Sequence, residues 1–298
     1  MHPAHEASPA EISRYAVDEL LRDGGSIHLR AIRPDDRERL VEHFHRLSAR
    51  SIYFRFFCAK RRLTDAELDR FTRLDFVERV ALVATLRTGA EERIIGVGRY
   101  AVLPDQPGAA EVAFVVADEH QGRGVGTVLL EHLLRIARRS GITEFQADVL
   151  GENNLMLQVF SASGLVVTRS IDAGVVHLSF PTEETERSRR AAEAHERRAA
   201  AESVRTVLNP RAVAVIGASQ QPGSIGAALV ANLRRAGFTG ALYPVHPTAA
   251  EIQGLRAYHR IGAIGQPVDL AVVAVPAAAV ETVFEECAAA GVRGVVVI

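Results

Sequence analysis

Apolar and polar positions follow two different rhythms along this 298-residue chain. In the first half, short apolar or alternating runs of strand length are separated by glycine and proline clusters. The first is 26–32. Three more fall at about 79–87, 93–103 and 110–117, punctuated by Gly89 and by Pro104, Pro107 and Gly108. Helical periods stand between and after them. Pro34 and Asp35 open one that runs to about Leu47, with proline in the first turn, where its missing N–H costs nothing. Thr64 and Glu67 are spaced as a capping box. After a glycine-rich turn, Val125, Val128, Leu129, Leu133 and Ile136 form a 3.6-residue stripe that ends at Gly141. A strand at 143–150, a helix at 153–162 and strands at 165–169 and 174–180 complete the series. The prediction for residues 25–181 is an α/β domain with a mixed, mostly antiparallel sheet and one conspicuous helix after its central strand. Residues 1–24, polar with alanine and proline, are expected to be a flexible N-terminus.

The rhythm changes at 182–205, which is charged and alanine-rich. Glu186 with Arg190 and Glu193 with Arg197 are i,i+4 pairs in the favourable order, so a solvated linker helix is expected. From 206 to 298 apolar strands alternate with helices: strand 212–216, a helix from about Ile225, strand 241–245, strand 268–275 ending at Pro276, helix 277–290, and a last strand from Gly294. Nearly continuous apolar strands of this kind belong to a parallel sheet covered on both faces. Ile298 falls in mid-strand, so a truncated, partial domain is expected.

Composition narrows the classes. A formal net charge of −1 argues against a nucleic-acid or membrane-surface binder. The arginines of the linker are cancelled by its glutamates. No apolar run reaches the ~20 residues of a membrane span, and the first residues lack an export-signal core, so the expected location is cytoplasmic. Cys58 and Cys287 have no metal or redox spacing and are expected to be buried free thiols. No metal is expected.

Residues 111–130, EVAFVVADEHQGRGVGTVLL, carry the chemistry. An apolar strand bearing one acid, Glu111, meets a turn Gln121-Gly122-Arg123-Gly124-Val125-Gly126 and then a helix. Unpaired N–H groups and the dipole at a helix start favour a pyrophosphate, and glycine lets backbone approach it. A purely structural glycine turn is the alternative. The Q-x-x-G-x-G turn, in this strand–turn–helix order and with Asn153 and Gly164 beyond it, resembles the acyl-CoA motif of the GNAT N-acetyltransferase superfamily over residues 26–180. The resemblance implies that N–H groups of Arg123, Gly124, Val125, Gly126 and Thr127 hold the CoA pyrophosphate, with Gln121 and Gly122 also among the CoA-binding residues. Phe114, Val115 and Val116 would pair their backbone with the pantetheine arm, and Asn153 would bond it from the other side. The Arg123 side chain either meets phosphate or is a solvated surface arginine. His120 either touches phosphate or sits on the rim.

Acyl transfer to a lysine amine needs a base, because at pH 7 only about one amine in 10³ is unprotonated. Glu111 shares a strand face with Ala113 and Val115. In protein lysine acetyltransferases that resemble this chain a glutamate stands at this position. A solvated strand acid is the alternative, set against the cost of a carboxylate in an apolar strand. One departure is Phe160, where many GNAT enzymes have a tyrosine that protonates the leaving thiolate. Water, Ser161 or Ser163 would replace it, or the thiolate leaves unprotonated. Cys58 as an acyl carrier is a further, less favoured route.

The second half, with AVAVIGASQQPGSIGAALV, resembles the Rossmann-like CoA-binding domain of NDP-forming acyl-CoA synthetases. Ser219 stands where a dinucleotide fingerprint has its second glycine, and no acid ends the second strand, which argues against NAD. The resemblance implies a nucleotide lined by Gly217, Ser219, Gly223, Ser224, Gly226 and Pro276. The tandem resembles bacterial protein acetyltransferases of the Pat type. It implies acetyl-CoA as substrate, protein lysines as acceptors with acyl-CoA synthetases as typical targets, and a second domain that senses CoA or another nucleotide. A small-amine or amino-acid acetyltransferase and a non-catalytic CoA sensor remain open.

Overall fold

The computed structural model describes residues 8–88 and 91–298; Gly89 and residues 1–7 lie outside the described part. The chain divides into two compact units, residues 1–87 with 92–199, and residues 88–91 with 200–298.

The first unit contains α1 (Pro9–Ser13), β1 (Ala16–Leu20), β2 (Ser26–Ala31), α2 (Arg37–His45), α3 (Ala49–Phe56), α4 (Asp65–Thr72), β3 (Arg79–Thr88), β4 (Glu91–Val102), β5 (Ala109–Val116), α5 (Val125–Arg139), β6 (Glu144–Leu150), α6 (Asn154–Ala162), β7 (Thr168–Asp172) and β8 (Val175–Pro181). Helix α7 (Glu186–Leu208) starts here and crosses the boundary between the units. It begins at reciprocal bonds between Thr185 and Ser188, and both expected i,i+4 ion pairs are present. The helix is shifted towards the C-terminus relative to the linker expected at 182–205, and Ser188 and Ala199 are buried rather than solvated.

The flexible N-terminus expected over 1–24 is corrected where residues are described. Ser8 and Glu11 form a capping box that starts α1, and β1 pairs antiparallel with β2. Ile12 and Leu21 anchor this segment in the core. The strand expected at 165–169 is shifted to 168–172, and α3 was not foreseen.

The sheet order is β1-β2-β3-β4-β5-β6-β8-β7. Alternation sends one set of side chains to each face. Leu82, Ile95, Val112 and Phe114 pack with Val125, Leu129 and Leu133 of α5. Ala81, Val83, Ile94 and Val97 pack with Leu40 of α2 and Leu68 of α4 on the other face. Most neighbouring strands run antiparallel, but β5 and β6 are parallel. They pair only at Ala109 with Glu144, Ala110 with Phe145 and Glu111 with Gln146. Beyond Glu111, β5 continues against β4 alone, as far as Val116.

The second unit contains β9 (Ala212–Ile216), α8 (Ile225–Arg235), β10 (Ala241–Val245), a small antiparallel pair β11 (Glu251–Ile252) and β12 (Leu255–Arg256), β13 (Leu270–Val273), α9 (Ala277–Ala289) and β14 (Gly294–Val297). Its main sheet is parallel throughout, in the order β10-β9-β13-β14. Ala214, Ile216 and Val273 pack with Cys287 of α9. Val213, Val215 and Val272 pack with Val230 of α8. Both faces are covered, which is why these strands read as unbroken apolar runs. Cys287 is buried, whereas Cys58 is exposed, correcting the expectation of two buried thiols.

A buried ion cluster fixes the first turn after β2. Arg30 is 1% exposed and makes bidentate bonds to Asp36, both 2.6 Å, while its Nε and Nη2 reach Glu92 at 3.0 and 2.9 Å. The Arg30 guanidinium holds the Glu92 carboxyl down to about 2, against burial and with help from the Thr85 hydroxyl. A carboxyl depressed in the folded state stabilises fully above its unfolded pKa and loses that stabilisation as pH falls through the folded one. The stability contributed by Glu92 is therefore present above about pH 4.5 and lost between there and about pH 2. Urea midpoints measured across this range should fall less steeply with acid in Glu92→Gln than in the wild type.

Candidate active site

The turn after β5 is built by a short 3-10 turn at 118–120 and two left-handed glycines. Gly122 has φ +73° and Gly124, the N-cap of α5, φ +100°, a region that side-chain-bearing residues avoid. No side chain caps the start of α5, so its first N–H groups are left for another acceptor.

The turn is tied to α3. Asp118 accepts from Ser48 N at 2.9 Å, Ser48 Oγ at 2.7 Å and Ser51 Oγ at 2.9 Å. Burial opposes its ionisation, yet these donors hold the Asp118 carboxyl below its ordinary range. The Gln121 amide donates to Val116 O at 3.0 Å and Ser51 Oγ at 3.1 Å. Gln121 thus locks the turn onto both β5 and α3.

These elements enclose a groove of about 620 Å³. Phe114, Val115, Val116, Gln121, Gly122, Gly124, Val125, Gly126 and Thr127 line one side. Asn153, Met156 and Val159 belong to the α6 side. The parting of β5 from β6 frees this edge of β5 from strand pairing, an edge that an extended amide-bearing chain can join. Asn153 is the N-cap of α6: its Oδ1 accepts from Met156 N at 3.3 Å, leaving its amide N–H₂ as donor.

The Arg123 side chain is not on the groove. Its Nε donates to Asp23 at 2.7 Å and its Nη1 to His120 Nδ1 at 2.8 Å. The charge-assisted phosphate contact considered for it is corrected to an ion pair with the segment after β1. His120 is a buried acceptor of that guanidinium on the groove wall; burial, then Arg123, push its pKa below the ordinary histidine value. Arginines on the groove are Arg22, Arg50 and, where it meets a second cavity, Arg55, all of which sequence reasoning missed. Arg50 lies on α3, whose start was legible only as the N-cap serine Ser48.

A second cavity, of about 430 Å³, holds Glu111. It shares Phe54, Arg55, Phe114, Asn153 and Met156 with the groove, so the two communicate where β5 and β6 part. Glu111 is exposed on the α3–α4 face of β5. This corrects the idea of a carboxylate buried at a cost: strand alternation turns it away from the apolar side. Phe160, 1% exposed, stacks edge-on with Phe114 at 6.2 Å and has no proton to give. Ser161 donates to Leu157 O and Ser163 to Phe160 O, so both hydroxyls are committed to helix carbonyls. Cys58 lines neither cavity.

In the second unit Gly217 has φ +86°, and a Cβ on Gly226 would strike its carbonyl. These two glycines bring α8 against the end of β9. Ser224 caps α8 through Ala227 N, Ser219 accepts from Gln221 N, Gly223 is left-handed with open space around it, and Pro276 is the N-cap of α9. Among the described residues no group of three or more His, Cys, Asp or Glu is placed to hold a metal ion, and no helix is long and apolar enough to cross a membrane.

A parallel strand pair that parts beside an uncapped helix start, next to a cavity lined by a carboxylate, is the arrangement of a GNAT acyltransferase. The model of the acetyltransferase (GNAT) family matches residues 48–164, and that of the CoA binding domain matches residues 211–298. An acetyltransferase of Pseudomonas aeruginosa is 34% identical over 154 residues, 52% of this chain and 82% of that protein. The crystal structure of the GNAT domain of S. lividans PAT is similar with a TM-score of 0.52 and 43% identity, covering 56% of this chain and 96% of that one. An ADP-forming acetate–CoA ligase of Archaeoglobus fulgidus is 44% identical over 95 residues, 32% of this chain; the chain spans only 14% of that ligase. The chain belongs to the GNAT acetyltransferase family and carries a C-terminal CoA-binding domain, which makes it an acetyl-CoA-dependent N-acetyltransferase.

Arg22→Ala and Arg50→Ala should each weaken CoA binding about tenfold, the worth of one charge-assisted phosphate contact. Arg123→Ala should change it by less than about threefold, because its guanidinium is already engaged. Calorimetric titration with CoA at fixed salt checks both.

Proposed function

We propose that the chain transfers the acetyl group of acetyl-CoA to lysine side chains of proteins, acyl-CoA synthetases among them, with Glu111 as general base. The observation that carries this reading is the junction of groove and cavity at Phe114 and Asn153, with Glu111 on the wall of the cavity alone. In this reading β5 pairs with the pantetheine arm through Phe114, Val115 and Val116. The N–H groups at the start of α5 hold the pyrophosphate, and Asn153 donates to the arm from α6. The thioester then sits at the junction.

An acceptor amine enters from the cavity side. Glu111, directly or through one water, removes the proton that leaves nitrogen nucleophilic. Nitrogen attacks the thioester carbonyl, the C–S bond breaks, and the CoA thiolate leaves. No hydroxyl at the Phe160 position answers that thiolate. Its ordinary pKa of about 8.5 lets it depart unprotonated or take a proton from water. Direct attack is preferred over an acyl-cysteine route because Cys58 stands outside both cavities.

The second unit is read as a module that senses CoA or another nucleotide, with Gly217, Ser219, Gly223, Ser224, Gly226 and Pro276 around the ligand. Its support is the match to a CoA binding domain and the left-handed turn between β9 and α8.

Incubating wild type and Glu111→Gln with acetyl-CoA and a bacterial protein extract, then locating acetyl-lysine by mass spectrometry, tests the first reading. Glu111→Gln should lower kcat by about 10²–10⁴ with CoA affinity unchanged. Equal incorporation by both proteins sinks the base assignment, and acetylation of small amines alone sinks the protein acceptor. For the second unit, titrating the full chain with CoA should give two sites per chain; a single site removes CoA as its ligand.

A further inference from the structure

The cavity beside Glu111 carries more positive charge than a binding site for a bare lysine ammonium should. Arg55, Arg70, Arg79 and Arg99 all line it, against Glu67, Glu111 and Asp148. Several of these are paired elsewhere. Glu67 bonds Lys60 at 2.6 Å, Arg79 bonds Asp75 at 3.0 Å, and Asp148 bonds His177 at 2.6 Å. That leaves three guanidiniums, Arg55, Arg70 and Arg99, facing one carboxylate, Glu111. None of the three forms an ion pair among the described residues. Arg99 lies over the Phe71 ring at 4.1 Å and donates to Phe71 O, a neutral acceptor. Arg55 lies 5.4 Å from the Phe56 ring. Burial, then Arg55, Arg70 and Arg79, push Arg99 down to about 9. Burial also lowers Arg55, opposed by Glu111 and furthered by Arg70. Like charges gathered in a partly desolvated wall repel one another, and a bound anion relieves them.

We propose that this wall recognises an acceptor whose amine is accompanied by a carboxylate, so that Glu111 meets the amine while Arg55, Arg70 and Arg99 meet the acid. The inference rests on the transferase reading above and narrows its acceptor class. Fork-shaped guanidiniums suit carboxylates and offer them bidentate bonds. The same wall disfavours a lysine set among basic residues, so it selects by repulsion as well as attraction. The acid can come from a side chain flanking a target lysine or from the α-carboxylate of a free amino acid.

The test uses the full chain, acetyl-CoA and three peptides of one length, each with a single lysine flanked by aspartates, glycines or arginines and blocked at both ends. Free glutamate and free lysine form a separate arm. Wild type should favour the aspartate-flanked peptide over the glycine-flanked one by at least about tenfold in kcat/KM, mostly through KM. Raising salt should shrink the ratio. In Arg70→Gln and Arg55→Gln the ratio should fall towards one. Because it is a ratio within one preparation, a partly unfolded variant does not mimic the result.

Preference for the aspartate-flanked peptide supports a side-chain acid as the source. Turnover of the free amino acids with none of the peptides supports an α-carboxylate and overturns the protein-lysine reading. Equal use of all three peptides, or preference for the arginine-flanked one, overturns the arginine proposal and leaves the transferase reading standing. No turnover of any acceptor overturns both.

Discussion

The parting of β5 from β6 is the constraint on which the site depends. Two parallel strands that kept pairing would satisfy each other's N–H and C=O groups and leave no edge for a ligand. Here the pairing stops at Glu111. Phe114, three residues further on, turns its ring into the α5-side core, where it meets Phe160 of α6; Phe160 meets Phe180, and Phe180 meets Phe145. Aromatic bulk thus fills the sheet below the opening, while the opposite face stays accessible. The same residue that ends the pairing is the acid that faces the second cavity. In the proposed reading the fork therefore determines both where a thioester lies and which carboxylate stands beside it.

The rest of the site follows from fastening other elements to that fork. Asp118, Ser48, Ser51 and Gln121 join the motif turn to α3 by side-chain bonds that leave the helix-start N–H groups of α5 free. Through α3 they also place Arg50 on the groove and Arg55 at the junction of the two cavities. A turn that looks like a self-contained phosphate cradle is one side of a larger assembly. Its own arginine, Arg123, is diverted to Asp23 and His120, and the groove takes its positive charge from Arg22, Arg50 and Arg55 instead.

The groove side of the candidate site was largely legible in the sequence, because much of it is local. A strand, a glycine turn and the start of an amphipathic helix are adjacent in the chain, all within residues 111–127. The acceptor side was not legible. Its walls come from α3, α4, β4 and β6, and nothing in the spacing of Arg55, Arg70 and Arg99 announces that they share a cavity. Helix α3 itself escaped notice: Ser, Ile, Tyr and Phe are indifferent helix formers, so packing and the Ser48 cap decide its conformation. The N-terminal strand β1 was missed for a similar reason. In its short sequence AVDEL only Val17 packs against the core, and its register is set by β2 and by the anchors Ile12 and Leu21.

By itself the sequence determined the two-part organisation, most strand and helix positions, the parallel character of the second sheet and the place of the glycine turn before α5. Each of these rests on short-range periodicity or on the backbone demands of glycine and proline. Only the tertiary structure decided that Glu111 faces outward, that Arg123 is spent on Asp23, and that Arg55, Arg70 and Arg99 share a cavity with that carboxylate. Which charged groups meet is a long-range property. It depends on how far the chain travels before returning to the same side of the sheet, and local pattern carries no record of that.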